Sequence, residues 1–176
     1  MIYFFPTDTC YGIGCNIYNK RCYFQMFKIK NRSLDKPVSV LIKDFEELKK
    51  YSNLNDEQIN FLKSYPYPFT ILTKPNKEFV LPDFLDGNVY SKIAFRIGKL
   101  AIEKEILKKI ELPFFLTSAN ISNEKELYNS KEVEEAFVEH IEDVTIISGQ
   151  IPKAKPSDIF EFDGETLNLK YLRKNY

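Results

Sequence analysis

The apolar positions of this chain come in short blocks, and the spacing inside each block predicts the element it forms. Ile2-Tyr3-Phe4-Phe5 reads as a buried strand. Residues 6–14 follow as a loop, punctuated by Gly12 and Gly14. Residues 19–30 read as a helix and the β-branched run 38–42 as a strand. Asp44-x-x-Glu47 and Asn55-x-x-Gln58 both resemble capping boxes, opening helices over 45–51 and 56–64. Residues 69–73 and 93–97 are strand-like. Ile102, Ile106 and Ile110 share one helical face and predict a helix over 101–110, followed by a strand at 114–117. Val133, Ala136, Phe137 and Ile141 form one face of a helix over 131–141, with Ser130 as its cap. Residues 144–148, 158–162 and 167–171 read as strands.

Strands and helices thus alternate up to residue 148, and strands alone follow. That order predicts an α/β fold with a mixed sheet. Residues 153–156 are the one stretch that reads as a mobile linker or lid, too short to divide domains. Residues 1–176 are therefore expected to form a single domain.

Composition narrows the functional classes. Of 176 residues, 44% are hydrophobic and 28% charged, as in an ordinary globular protein. Lysine plus arginine and aspartate plus glutamate both number 25, which argues against a polybasic nucleic-acid coat. The balance is uneven along the chain: residues 1–100 carry 15 cations and 10 anions, the rest 10 and 15. That asymmetry fits an anionic ligand held by the first half, or a merely solvated surface. No apolar run approaches the ~18 residues of a membrane span, and no basic-then-apolar leader opens the chain. Three cysteines, Cys10, Cys15 and Cys22, are an odd number clustered at one end, so a reducing cytoplasm is expected. A single histidine, His140, leaves too few ligands for a His-rich zinc site, and it reads as a packed helix residue.

Five clusters carry candidate chemistry. Residues 6–14 run from a strand into hydroxyls and two glycines, which fits a structural turn or a backbone that approaches a small polar ligand. Cys10 within it reads as a small half-buried residue. Lys28, Lys30, Arg32 and Lys36 sit at a helix end and in the loop after it. Cations there complement the helix dipole, or clamp phosphate. Thr117, Ser118, Asn120 and Ser122 end another strand, where open α/β sheets bind ligands, although a helix cap would use the same residues. Arg96 inside an apolar strand needs a buried carboxylate or a ligand carboxylate as partner. Ser157 begins a strand, and Arg173 lies close to residue 176.

Taken together and in order, these elements resemble one family. Pro6-Thr-Asp-Thr-Cys-Tyr-Gly-Ile-Gly14 is similar to the Pro-Thr-Glu-Thr-x-Tyr-Gly-Leu-Gly signature of the YrdC/Sua5 family. Lys28-x-Lys-Asn-Arg32 with Pro37, Tyr65-Pro-Tyr-Pro-Phe-Thr70, Ile93-Ala-Phe-Arg96, Thr117-Ser-Ala-Asn-Ile-Ser122, Pro156-Ser-Asp-Ile159 and Tyr171-Leu-Arg173 resemble its further motifs. Leu41 stands where some relatives carry histidine, Tyr67 replaces a glycine, and Lys174-Asn175 replaces a terminal Pro-Gly.

The resemblance implies a YrdC-like domain over 1–176: a twisted mixed sheet with flanking helices around a concave basic cavity. It implies the activity of a short-form threonylcarbamoyl-AMP synthase, a nucleotidyltransferase. Such an enzyme uses L-threonine, bicarbonate and ATP with Mg²⁺, with no metal site of its own. A threonylcarbamoyl transferase partner then modifies tRNA. By the same resemblance, Lys28, Lys30, Arg32, Lys36, Asn120 and Arg173 meet ATP, and Thr9, Arg96, Ser118 and Ser157 meet threonine. Lys28, Lys30 and Arg32 would position substrate for catalysis, with no general base assigned. The alternative reading is an RNA-binding module that uses the same groove without synthesis.

Overall fold

The computed structural model describes residues 1–137 and 144–176. Nine strands lie among them: β1 (Ile2–Pro6), β2 (Tyr11–Asn16), β3 (Ser39–Ile42), β4 (Phe69–Thr73), β5 (Ile93–Ile97), β6 (Phe114–Ser118), β7 (Val144–Ile146), β8 (Asp158–Phe162) and β9 (Leu169–Arg173). Six helices join them: α1 (Lys20–Ile29), α2 (Phe45–Tyr51), α3 (Asp56–Ser64), α4 (Gly98–Ala101), α5 (Lys104–Leu107) and α6 (Ser130–Phe137). All nine strands form one sheet in the order β7-β1-β2-β6-β3-β5-β4-β8-β9. The pairs β1–β7, β3–β5 and β4–β8 are parallel and the other neighbours antiparallel, so the sheet is mixed.

Alternation along the strands sorts side chains between two unequal faces. Ile13 and Cys15, Phe115, Val40 and Ile42, Phe95, Ile71 and Phe160 all join a large core with α1, α2, α3 and α6. Each buried phenylalanine or isoleucine there contributes roughly 2 kcal/mol by leaving water. Their neighbours Phe5, Leu41, Phe114 and Leu116 face the other way and meet Ala101, Ile102, Ile106 and Ile110 in a small second core. That core covers only part of its face, and the rest forms a cavity.

Local signals placed the helices well. Asn19 caps α1, accepting from the Cys22 N–H at 3.0 Å. Asn55 and Gln58 form a full capping box at α3. At α2 the Asp44 side chain accepts from Glu46 and Glu47 N–H, but Glu47 reaches back to the N–H of Lys43 rather than Asp44.

Four expectations need correction. Residues 11–14, read as loop, form the start of β2 between β1 and β6. Its glycines are demanded by packing: a Cβ on Gly14 would lie 1.9 Å from the Phe115 carbonyl, and one on Gly12 2.6 Å from Leu116. The helix expected over 101–110 is broken, because Ile102 is extended (φ −139°, ψ 142°) between α4 and α5. Its three isoleucines still meet in the second core. The cap of α6 is Asn129, whose side chain accepts from the Glu132 N–H at 2.9 Å, and Ser130 is already helical. The final strand lies two residues later than expected. The Phe162↔Leu169 pairing and the Asp163 N–H to Asn168 carbonyl bond close the hairpin there. His140 and Ile141 lie outside the described residues.

Candidate functional site

A cavity of about 230 Å³ opens on the sheet face that the second core leaves bare. Its lining includes Thr9, Arg32, Arg96, Ser118, Ser157 and Arg173, brought together from six separate segments of the chain. Lys28, Lys30, Lys36 and Asn120 are not part of that lining.

The first wall is the turn between β1 and β2. Thr7 Oγ1 donates to the Cys10 carbonyl at 2.7 Å, accepts from the Thr9 N–H at 3.2 Å, and lies 3.3 Å from Thr9 Oγ1. Thr7 and Thr9 are buried by this closed turn. Cys10 lines the cavity, and burial pushes its thiol pKa up, which keeps it protonated.

The second wall is the end of β6, and Lys30 holds it from behind. Lys30 is only 2% exposed. Its ammonium donates to the carbonyls of Ser118 and Asn120, the latter at 2.6 Å, and to Asn120 Oδ1 at 3.3 Å. Ser118 Oγ donates to the same Oδ1 at 2.6 Å. Burial, with Arg32 nearby, pushes the Lys30 pKa down to about 7. The three accepting oxygens oppose that shift, because they favour the charged donor. Lys28 and Lys36 are exposed. Lys28 ends α1, as a dipole-complementing cation does.

Three guanidiniums supply the cavity's charge. Arg32 is fixed by donating from Nε to the Lys36 carbonyl at 3.1 Å and from Nη2 to the Pro37 carbonyl at 2.9 Å. Arg173 donates from Nε to the Ser157 carbonyl at 2.9 Å and from Nη2 to Ser157 Oγ at 3.2 Å. Burial first, and then the neighbouring Arg96, push the Arg173 pKa down, although a guanidinium stays charged near neutrality.

Arg96 is 8% exposed and sits on β5 between Phe95 and Ile97, which both face the large core. It therefore points to the opposite face, which resolves the arginine in an apolar strand. Nη2 pairs with Asp8, whose side chain retains 23% of its exposure. Burial raises the Asp8 pKa, and Arg96 partly offsets this. Arg96 Nε is buried with no hydrogen-bond partner among the described residues. A charged fork with one arm paired and one N–H unmet is suited to a second carboxylate.

Sequence reasoning missed Thr70, Ser39 and Glu126 in the lining. Thr70 had a legible signal, a hydroxyl at a strand start, and its Oγ1 lies 3.2 Å from Ser157 Oγ. Glu126 lies in an aperiodic loop that only tertiary structure brings in, through the Tyr11 N–H bond to the Leu127 carbonyl at 2.8 Å.

A mixed nine-stranded sheet with three arginines and several small hydroxyls around one open cavity defines an α/β protein built to hold a small anionic ligand. The chain belongs to the Sua5/YciO/YrdC family, whose model, described as telomere recombination, matches residues 1–174. It is 30% identical over 176 residues to the threonylcarbamoyl-AMP synthase of Buchnera aphidicola, covering 96% of this chain and 94% of that one. The threonylcarbamoyl-AMP synthase of Neisseria meningitidis is also 30% identical, over 92% of this chain and 84% of its own. Among solved structures, Pyrococcus abyssi Sua5 complexed with L-threonine superposes with a TM-score of 0.78 at 26% identity, covering 98% of this chain. This chain spans about half the length of that Sua5, 49%. No helix among the described residues is long and apolar enough to cross a membrane.

Proposed function

We propose that the chain is a threonylcarbamoyl-AMP synthase. It joins L-threonine, bicarbonate and ATP into threonylcarbamoyl-adenylate and pyrophosphate, for a cytoplasmic transferase that modifies tRNA. The observation that carries this reading is Arg96, a buried guanidinium whose Nε–H is unmet, in the lining of a hydroxyl-rich cavity. The fold is shared with a Sua5 that binds L-threonine.

In this reading the threonine carboxylate pairs with Arg96, and Thr9, Ser118 and Ser157 meet its polar groups. Arg32 and Arg173 meet the phosphates, and Lys28 and Lys36 add charge from outside the lining. Lys30 and Asn120 act through the shape of the β6 end. The neutral threonine amine attacks the bicarbonate carbon, and water leaves. An oxygen of the resulting carbamate attacks the α-phosphorus, and the bond to the bridging oxygen breaks, releasing pyrophosphate. These residues position and neutralise rather than transfer protons, which is how phosphoryl-type transfers are largely catalysed.

Mg²⁺ enters with ATP in this reading, held by phosphate oxygens and water. The described residues offer no cluster of three His, Cys, Asp or Glu for it, and Glu126 in the lining is a carboxylate that a hydrated ion can meet. When bound, the ion supplies charge to the pyrophosphate leaving group.

The test is pyrophosphate release from ATP and Mg²⁺, with threonine and bicarbonate each added or withheld, and mass spectrometry of the nucleotide product. Release that requires both, with threonylcarbamoyl-adenylate detected, is expected. No release, with RNA bound in a salt-sensitive way, would replace this reading with an RNA-binding module.

A further inference from the structure

The activity just described leaves a buried acidic side chain without a task. Asp158, the first residue of β8, is fully buried, the one acidic residue so enclosed among the described residues. Its carboxylate collects three donors. The Tyr65 hydroxyl reaches Oδ2 at 2.6 Å, and the backbone N–H groups of Asn175 and Tyr176 reach Oδ1 at 2.6 and 3.4 Å. Two of these donors belong to residues 174–176, beyond β9.

That segment is tied to 155–158 at several further points. Asn175 Nδ2 donates to the carbonyls of Pro156 and Ser157 at 3.0 and 3.3 Å. Lys155 Nζ donates to the Asn175 carbonyl at 2.9 Å, and the Tyr176 hydroxyl to the Lys155 carbonyl at 3.0 Å. The Tyr176 ring stacks on Tyr67 with centroids 4.8 Å apart. The stretch expected to be a mobile lid is thus one side of a zipped strap. The other side begins at Arg173, which lines the cavity and grips Ser157.

We infer that Asp158 is a positioning residue. Its carboxylate latches the 173–176 strap and so holds Arg173 and Ser157 in the cavity wall, aimed at the phosphates of a nucleoside triphosphate. A carboxylate suits the task because it only accepts, and two adjacent backbone N–H groups need acceptors there. Charged acceptors bind such donors about twice as strongly as neutral ones. The ligand side of this inference rests on the synthase reading; the latch itself does not.

The experiment compares wild type with Asp158→Ala, Asp158→Asn and Tyr65→Phe in the full chain. Amide hydrogen exchange at Asn175 and Tyr176, without substrates, reads the latch. Steady-state pyrophosphate release and equilibrium ATP binding read the positioning. In Asp158→Ala both amides are expected to exchange at least about tenfold faster. The KM for ATP is expected to rise about tenfold, with kcat within about twofold and the KM for threonine little changed. Asp158→Asn keeps the Oδ1 acceptor without the charge and is expected to restore both readouts in part. Should Asp158→Ala fail to fold, Tyr65→Phe removes one donor only and is expected to move both readouts the same way by about threefold.

Fast exchange with an unchanged KM for ATP overturns the inference, as does unchanged exchange. Loss of affinity for threonine alone overturns it too. If wild type releases no pyrophosphate, the synthase reading fails by itself, and the latch is then judged by exchange and ATP affinity.

Discussion

Two segments of the cavity wall, the end of β6 and the strap after β9, are pinned by buried charges of opposite sign, and they are not equivalent. Lys30 holds the end of β6 by donating to carbonyl oxygens. Asp158 holds the strap after β9 by accepting from N–H groups. Each sign matches the backbone groups that its wall leaves unpaired. The difference lies in what happens when the charge is removed. The β6 end is fixed by its pairing with β2 up to Ser118, so removing the charge does not free it to move. The strap is an edge segment that can peel away and be solvated. A buried cation in this molecule therefore governs stability, and a buried anion governs placement.

Breaking the stronger latch should have the largest effect. Lys30→Met leaves the Ser118 and Asn120 carbonyls without a donor and is expected to cost about 3 kcal/mol in urea unfolding. Unchanged stability with a raised KM for ATP would instead make Lys30 a direct phosphate ligand. Asp158→Ala is expected to cost only about 1 kcal/mol, because the freed strap finds water.

Between the walls, Arg96→Ala should raise the KM for threonine about thirtyfold, the loss of one charge-assisted pair of about 2 kcal/mol, and the KM for ATP far less. Equal effects on both substrates would make Arg96 structural. Arg32→Ala should raise the KM for ATP about tenfold and leave the unfolding midpoint unchanged, since its partners are carbonyls of an exposed loop. Wild-type turnover in that variant would remove Arg32 from the phosphate side.

The three oxygens that accept from Lys30 counter its burial, so the smallest effect is a pH slope. Burial lowers the Lys30 pKa from 10.5 to about 7, so the unfolded chain binds more protons across that window. Stability attributable to this group should rise with pH between those values, and be flat below them where both states are protonated. Unfolding of wild type and Lys30→Met from pH 7 to 10 reads the difference between slopes. A slope that is identical in both proteins would place the titration elsewhere.

Much of this arrangement was legible in the sequence, and the exceptions share a cause. Strand alternation and the Asn55-x-x-Gln58 capping box are local signals, and they placed most elements. Thr9, Arg96, Ser118, Ser157 and Arg173 meet in one cavity because all lie at or near strand ends, where side-chain type is readable, and Arg32 joins them from the loop after α1. Gly12 and Gly14 misled, because their small size serves the neighbouring β6 rather than their own backbone. Lys30 misled for a similar reason. Nothing in Lys28-x-Lys30 says which lysine is turned inward; the tertiary placement of the α1 C-terminus beside the Ser118 and Asn120 carbonyls decides it. Asp158 carried no local signal, since its partners lie 93 and 17 residues away.

The most direct test of the central claim is calorimetric titration of L-threonine into wild type and Arg96→Ala, each with a non-hydrolysable ATP analogue and Mg²⁺ present. Saturable binding to wild type that is lost in Arg96→Ala, with both proteins equally folded, is the predicted result. Threonine binding of the same affinity in both would contradict the account and leave the cavity without its amino-acid site.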